Sequence, residues 1–154
     1  MEILPKNEFI GDLGEFYFKQ YCQRRGYAYI RVERIHETLP RPILKFTLRF
    51  WRIPILVPDE AMDELTRVST PLLVNHSQSF VFDFLTTRIP GADNLDIPNS
   101  RRLEDFLWVE VKTGKSWLSR HQLQVSQACK IRFTIARVRR VLSPVRQIEI
   151  DWRT

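Results

Sequence analysis

The beginning of the chain shows a helical hydrophobic pattern followed by an extended one. Between Asn7 and Arg25, apolar residues recur at steps of three and four positions, which predicts an amphipathic helix. Asn7 is a favourable N-cap, and Gly26 is a favourable residue directly after the helix. Residues 27–32 then alternate as a β-strand does, so a helix followed by a strand is predicted here.

Residues 37–77 are harder to interpret because prolines repeatedly interrupt them. Apolar and polar residues alternate between Leu44 and Arg52, which suits a strand, although the basic residues of this stretch also share one face of a helix. Pro58 followed by acidic residues predicts a helix that ends near Val68. Since proline removes ladder hydrogen bonds, we expect residues 37–77 to form a peripheral insertion outside the core sheet.

Two stretches in the second half of the chain have the composition of buried strands. Residues 79–87 and 106–113 are rich in Phe, Val, Leu and Trp, and charge interrupts each at only a few positions. Turn-forming residues fill the link between them, which predicts a long exposed loop. Ser119 is a suitable cap for a helix that continues to about Ile131.

Together these elements predict an α/β protein in which helices flank one mixed central sheet. Two last strands, at 134–142 and 147–152, complete the order helix, strand, insertion, strand, strand, helix, strand, strand. A length of 154 residues suits a single domain over residues 1–154, with 37–77 as an insertion within it.

The composition adds a basic charge to this picture. The formal net charge is +6, and Arg outnumbers Lys among the basic residues. Because a guanidinium grips phosphate in a bidentate manner, this favours a nucleic-acid partner, although a merely basic soluble protein would show the same excess. Cys22 and Cys129 stand in unrelated segments, which argues against structural zinc. No secretory signal and no membrane-spanning stretch is visible, so we expect a cytoplasmic protein with no membrane partner.

Three ionisable residues stand in strands that are otherwise apolar. Glu110 and Lys112 lie two positions apart and therefore on the same face of one strand, and Asp83 interrupts the other strand. Burial of such groups is costly unless they are paired or bind a metal. If the two strands pair, Asp83 comes beside Glu110, and two carboxylates with room for water predict a Mg²⁺ or Mn²⁺ site. The alternative is an ion pair between Glu110 and Lys112, either buried or at a sheet edge.

At these positions the chain resembles the PD-(D/E)xK nuclease superfamily. Asp83 matches the Asp of the motif, and Glu110-Val111-Lys112 matches its ExK tripeptide. The segment from Gly11 to Glu15 resembles the N-terminal helix of archaeal Holliday junction resolvases. The segment from Leu118 to Gln122 resembles a helix of resolvase-like and VRR-NUC-like members. The resemblance implies a restriction-endonuclease-like core.

The resemblance also implies a role for each matching residue. The implied metal site is formed by Glu15, Asp83, Glu110 and Val111. Lys112 is expected to offset negative charge and to help position the nucleophile, and Gln122 is expected to face the site. Gly11 and Gly14 are poor helix formers, and they suggest that the first helix approaches another element closely.

Several assignments have competing interpretations. Phe82 stands where the motif name has Pro, and the long link to Glu110 leaves Asp93 and Asp96 as rival ligands, although solvated Asp is the default among turn residues. Lys115 and Arg120 flank the site and are expected to contact nucleic acid, although a solvated basic loop explains them equally well. His121 is a candidate phosphate contact or general base, although a lone histidine at a helix start is more often a surface residue. Residues 45–52 mix basic and aromatic residues as single-strand or junction binders do, or else they pack into the core with arginines at the rim.

The function expected from this sequence is that of a metal-dependent DNA nuclease. Branched or junction DNA is the substrate suggested by the resolvase-like segments, and such enzymes often act as homodimers. The alternative is a catalytically weak or inactive DNA-binding or assembly subunit that keeps the nuclease fold.

Overall fold

The computed structural model describes residues 6–41, 43–74, 77–88, 101–102, 106–113, 117–129, 131–139 and 147–150. Its helices are α1 (Lys6–Arg25), α2 (Val32–Thr38), α3 (Asp59–Ser69) and α4 (Arg120–Cys129). Its strands are β1 (Ala28–Arg31), β2 (Ile43–Leu48), β3 (Trp51–Leu56), β4 (Leu72–Val74), β5 (Ser77–Ser79), β6 (Phe84–Thr87), β7 (Arg101–Arg102), β8 (Leu107–Thr113), β9 (Phe133–Arg139) and β10 (Gln147–Ile150).

One sheet of eight strands organises the described part of the chain, in the order β10-β9-β8-β6-β1-β2-β3-β7. The β8–β9 and β3–β7 pairs are parallel, and the other neighbours in this sheet run antiparallel. The predicted α/β class with a mixed central sheet is therefore confirmed. Strands β4 and β5 form a separate two-stranded sheet.

Neighbouring residues on a strand point to opposite faces of the sheet, so the large sheet has two apolar faces. Helices cover both of them. On one face, Phe18 and Cys22 of α1 pack on Tyr29, Phe84 and Val109. The other face carries a larger apolar core, to which α2, α3 and the segment before α4 contribute Ile35, Leu65, Val68 and Leu118. None of the described helices has the length and apolar character that crossing a membrane requires.

The N-terminal prediction agrees closely with the structure. The predicted helix and strand correspond to α1 and β1, and Gly26 follows the helix with a φ of +74°, a conformation that glycine adopts without a Cβ penalty. Cys22 is fully buried, and burial raises the pKa of its thiol to about 12, as befits a core residue. The side chain of Cys129 lies outside the described residues.

The prediction that residues 37–77 lie outside the core sheet is wrong. Strands β2 and β3 form a hairpin that pairs with β1 and extends the sheet. Leu44, Phe46 and Ile55 are fully buried in the larger core. Pro54 sits within β3, opposite Lys45 of β2, so one proline did not prevent pairing here. The hairpin does not separate the predicted site strands, since β6 and β8 remain direct neighbours.

The predicted strand at 79–87 is divided in the structure. Ser79 ends β5, and β6 begins only at Phe84, so Asp83 stands just before the strand rather than inside it. Its main chain is nevertheless held from both sides: Asp83 N–H donates to the Val109 carbonyl at 3.1 Å, and Val32 N–H donates to the Asp83 carbonyl at 3.0 Å. Asp83 is thereby fixed next to β8.

Candidate active site

An open cavity of about 410 Å³ lies where β6, β8 and α4 meet. Asp83, Glu110, Lys112 and Gln122 all line it, together with Arg31, Glu33, Phe80, Phe82 and Ser119. Four of the five predicted catalytic residues therefore border one space. The antiparallel pairing of β6 with β8, in which Phe84 lies opposite Val109, brings Asp83 and Glu110 together as the strand argument predicts.

Asp83 is oriented by the strand that carries the ExK tripeptide. Its Oδ2 accepts a hydrogen bond of 2.8 Å from the Val111 N–H. The Val111 side chain instead packs on the opposite face of the sheet with the cluster that contains Phe18. Val111 thus acts through its main chain, and it holds one carboxylate of the site in a defined orientation.

Gln122 holds the second carboxylate through a capping arrangement at the start of α4. The Ser119 hydroxyl accepts a hydrogen bond from Gln122 N–H at 3.2 Å, and Gln122 Oε1 accepts one from Ser119 N–H at 2.9 Å. This reciprocal pair is a capping box, in which two free helix N–H groups are satisfied at once. The Gln122 amide nitrogen then donates to Glu110 Oε2 and to the Val81 carbonyl. Every polar atom of the Gln122 amide is therefore used, so its position is fixed.

Glu110 is the most strongly perturbed ionisable group of the described residues. Its side chain is buried, with 7% of the residue exposed. Burial raises the pKa of Glu110 well above its usual range, and the hydrogen-bonded carboxyl of Asp83 and the charge of Glu15 raise it further. Lys112 lowers the pKa of Glu110, but not enough to offset these effects. Glu110 therefore holds its proton more tightly than an ordinary glutamic acid does.

Glu15 lies on α1, which packs on the opposite face of the sheet from α4, the helix that carries Gln122. It forms an ion pair of 2.8 Å with Arg31, the last residue of β1, and Arg31 also contacts Glu33 at 3.1 Å. Because Glu15 raises the pKa of Glu110, it lies within electrostatic range of the carboxyl pair. The carboxylate of Glu15 nevertheless pairs with Arg31, and Glu15 does not line the cavity.

Gly14 determines how closely α1 approaches the site strand. A Cβ at Gly14 would lie 2.7 Å from Thr113 Cγ2, whereas a Cβ at Gly11 would meet nothing within 4 Å. The expected close approach is confirmed for Gly14 and wrong for Gly11. The absence of a side chain at position 14 lets α1 rest directly on the end of β8, which places the neighbouring Glu15 near the cavity.

The donor set of the cavity fits a hard divalent cation. Mg²⁺ in proteins is usually held by one or two carboxylates and keeps several waters or substrate oxygens as its other ligands. Asp83 and Glu110 supply two such carboxyl groups, and the raised pKa of Glu110 marks a deficit of positive charge that a cation would fill. Across the described ranges, no three Asp, Glu, His or Cys side chains converge as a metal-binding group. The structure therefore offers a two-carboxylate arrangement, with Glu15 set back from it.

The remaining site predictions fall in different places. Arg120 and His121 are exposed on the first turn of α4, and His121 lines a separate groove with Arg67 of α3. The structure does not bring either residue into the carboxylate cavity. Lys115 and the rival ligands Asp93 and Asp96 lie outside the described residues.

Arg31 is the residue of the site that sequence reasoning missed. It lines the cavity, pairs with Glu15, and places its guanidinium 5.3 Å from the centre of the Phe84 ring. The available signal was an arginine ending an otherwise apolar strand that follows the helix with Glu15. The pairing itself depends on how α1 packs on the sheet.

Comparison of the chain with protein-family models, with curated proteins and with solved structures finds no match.

Proposed function

We propose that this protein is a Mg²⁺- or Mn²⁺-dependent nuclease that hydrolyses DNA phosphodiester bonds. The observation that carries the proposal is the convergence of Asp83, Glu110 and Lys112 on one open cavity, with Gln122 fixed behind the carboxylates. Two acidic side chains and an ammonium around a cavity form a set suited to phosphoryl chemistry, because the reaction develops negative charge on phosphate oxygens.

Asp83 and Glu110 would hold the metal ion. When bound, the ion supplies a Lewis acid for a phosphoryl oxygen and lowers the pKa of a bound water. The Val111 N–H and the Gln122 amide keep the two carboxylates in place, so little reorganisation is needed when the substrate arrives.

Lys112 acts on the substrate in this proposal. Its ammonium faces the cavity from the same side of β8 as Glu110, where it would offset charge on the attacked phosphate. Water adds to phosphorus and gives up one proton to solvent, the bond from phosphorus to the leaving sugar oxygen breaks, and that oxygen takes up a proton from solvent. The products are a phosphate monoester end and a hydroxyl end.

The motif order supports placing the protein with the PD-(D/E)xK nucleases. The residues that resemble the superfamily motifs lie on α1, at the start of β6, on β8 and on α4, and those of β6, β8 and α4 share one cavity. The net charge of +6 suits a polyanionic substrate. Branched or junction DNA is the substrate that the resolvase-like segments suggest.

The experiment is a cleavage assay on labelled single-stranded, duplex, flapped and four-way junction DNA with Mg²⁺ and Mn²⁺. Wild type should cut at least one structure, and Asp83→Asn and Glu110→Gln should cut none, because a neutral amide is a poor ligand for these cations. Calorimetry should show weaker Mn²⁺ binding by both variants. If wild type cuts none of the structures with either metal, the catalytic proposal fails.

One observation favours the alternative of an inactive DNA-binding or assembly subunit. Glu15, which the resemblance assigns to the metal site, is instead paired with Arg31. An inactive subunit would bind the same DNA panel without cutting it, and Asp83→Asn would leave that binding unchanged. The cleavage assay therefore separates the two functions.

A further inference from the structure

A second and larger cavity lies on the α1 side of the sheet. It has a volume of about 760 Å³ and is bordered by β1, β2, β3 and α2, with Lys19 of α1 at one wall. Helix α1 packs on β1, β8, β9 and β10, so its footprint is displaced from the hairpin. On this side of the hairpin, Lys45 and Arg52 are exposed and Thr47 is half-buried. We refer to this cavity as the hairpin groove.

The hairpin groove is strongly basic. Glu37 is the acidic residue among its described lining residues, and six basic side chains face it: Lys19, Arg31, Arg34, Arg41, Lys45 and Arg52. Among the residues that the structure describes, no carboxylate forms an ion pair with Lys45 or Arg52. These charges are available to an anionic ligand.

The geometry of the groove favours one flexible strand over a duplex. Its volume lies within the range of about 300–1,000 Å³ that is typical of small-molecule pockets, which suits a few nucleotides but not a double helix. At the tip of the β2–β3 hairpin, next to Arg49, Phe50 is 88% exposed, whereas Trp51 points to the opposite face of the sheet, on the same side as Ile53. Exposed aromatic rings next to basic residues are typical of surfaces on which unpaired bases stack.

Arg31 joins the groove to the candidate active site, because it lines both cavities. A strand lying in the groove therefore passes Arg31 before it reaches Asp83 and Glu110. The same guanidinium that pairs with Glu15 can meet a phosphate at this junction.

We infer that the hairpin groove binds a single-stranded segment of DNA and leads it past Arg31 to the carboxylate cavity. Delivery of the strand to the carboxylate cavity rests on the proposed nuclease function, whereas binding of the strand in the groove does not. The hairpin thus becomes the part of the protein that selects unpaired DNA.

Charge reversal in the groove tests this inference against a matched control. The test variant is Lys45→Glu with Arg52→Glu. The control is Arg67→Glu with Arg132→Glu, which makes the same change in net charge at two exposed arginines that line neither cavity. Circular dichroism and thermal unfolding verify that both variants fold, and Lys45→Arg with Arg52→Lys keeps the charge as a rescue.

Binding is measured by fluorescence anisotropy with a labelled oligothymidylate and with a duplex of equal length, in EDTA so that no cleavage occurs. The groove variant should bind the single strand at least about tenfold more weakly, and the salt dependence of its affinity should fall by about 1.4 in log–log slope for two lost phosphate contacts. The control should change by less than about twofold and the rescue should bind as wild type does, since a phosphate contact depends on local charge.

The inference is overturned if the groove and control variants lose affinity equally, because binding would then depend on overall charge. It is also overturned if wild type prefers the duplex, or if polyglutamate displaces the oligonucleotide as well as unlabelled oligothymidylate does. Since the measurement contains no metal, an inactive Asp83→Asn protein should give the same result as wild type. Failure of the nuclease proposal and failure of the groove are therefore distinguishable.

Discussion

The two halves of the large sheet present their ionisable side chains in opposite ways. Around β6 and β8, Glu110 is buried and its carboxyl is held by Gln122 and Asp83. Around β2 and β3, Lys45 and Arg52 are exposed on the sheet face beside the hairpin groove. Strand alternation places side chains by the same rule in both halves, and the difference comes from what packs above them.

The contrast suggests that the two halves of the sheet have different tasks, catalysis around β6 and β8 and DNA binding around β2 and β3. The buried carboxyl group of Glu110 is sensitive to each neighbouring hydrogen bond and charge, because a low-dielectric environment strengthens both. Exposed basic groups interact weakly with one another and act mainly on an incoming polyanion. Substitutions in the first half should change rates and pH dependence, whereas polar substitutions in the second half should change DNA binding.

The largest expected effect is on the free energy of unfolding, and it tests whether the hairpin is part of the hydrophobic core. Phe46 is fully buried and Phe50 is 88% exposed, although both belong to the same hairpin. Phe46→Ala should reduce the free energy of unfolding by about 3–5 kcal/mol because it leaves a cavity, whereas Phe50→Ala should change it by less than about 0.5 kcal/mol. Urea denaturation measures both values. A small effect of Phe46→Ala would show that the hairpin is a peripheral appendage after all.

The next prediction tests whether Lys112, in the half of the sheet around β6 and β8, takes part in catalysis. Lys112→Ala should lower the cleavage rate by about 10²- to 10³-fold, since loss of one preorganised charge costs about 3–4 kcal/mol in barrier height. DNA affinity should change little, because the basic surface elsewhere still meets the phosphates. Single-turnover kinetics separates rate from binding, and Arg132→Ala, at an exposed residue that lines neither cavity, provides the control. A Lys112→Ala protein that cuts as fast as wild type would remove Lys112 from the mechanism.

A third prediction concerns the contact that brings α1 to the site. Gly14→Ala should destabilise the protein by about 1–3 kcal/mol, because the new methyl group would overlap Thr113 Cγ2. Gly11→Ala should be neutral or stabilising by up to about 1 kcal/mol, since Ala is the better helix former and the position is open. Thermal unfolding compares the two variants. Adding Thr113→Ser, which removes the obstructing methyl, should restore the stability lost in Gly14→Ala, and equal effects at both glycines would contradict this packing.

Much of the architecture could be predicted from the sequence because it depends on local patterns. The helix before Gly26, the strand bearing Glu110 and Lys112, and the Ser119 cap follow from periodicity and capping preferences. The pairing that joins Asp83 to Glu110 is predictable because carboxylates within apolar stretches need a common partner. Local chemistry was sufficient in these cases.

The rest depended on long-range packing. Proline in β3 argues against sheet membership, but the hairpin lies towards the end of the sheet, and the burial of Phe46 favours the pairing. The Arg31–Glu15 pair and the hairpin groove both depend on where α1 rests, and Gly14 helps to set that position. No short-range pattern encodes a helix footprint on a sheet.

The last prediction concerns the protonation of Glu110. Glu110→Gln mimics the protonated carboxyl, since its amide can both donate to Asp83 and accept from Gln122. Below the ordinary pKa of 4.5, Glu110 is protonated in the folded and the unfolded chain, so the substitution should change stability little. Above that pH the unfolded chain loses its proton while the folded chain keeps it. The stability of wild type should therefore fall as pH rises towards the elevated folded pKa.

At pH 8, Glu110→Gln should be more stable than wild type by up to about 5 kcal/mol, because each of the roughly 3.5 pH units above 4.5 contributes at most about 1.4 kcal/mol for one proton. Urea denaturation at pH 5 and pH 8 measures the difference, and Glu37→Gln, an exposed position, should show no such trend. Mn²⁺ should stabilise wild type at pH 8 by mass action but should not stabilise Glu110→Gln. Since the variant would be inactive and yet more stable, its loss of cleavage could not come from unfolding. A Glu110→Gln protein less stable than wild type at pH 8 without metal would show that Glu110 is ionised in the folded protein, and the carboxyl pair would then need another explanation.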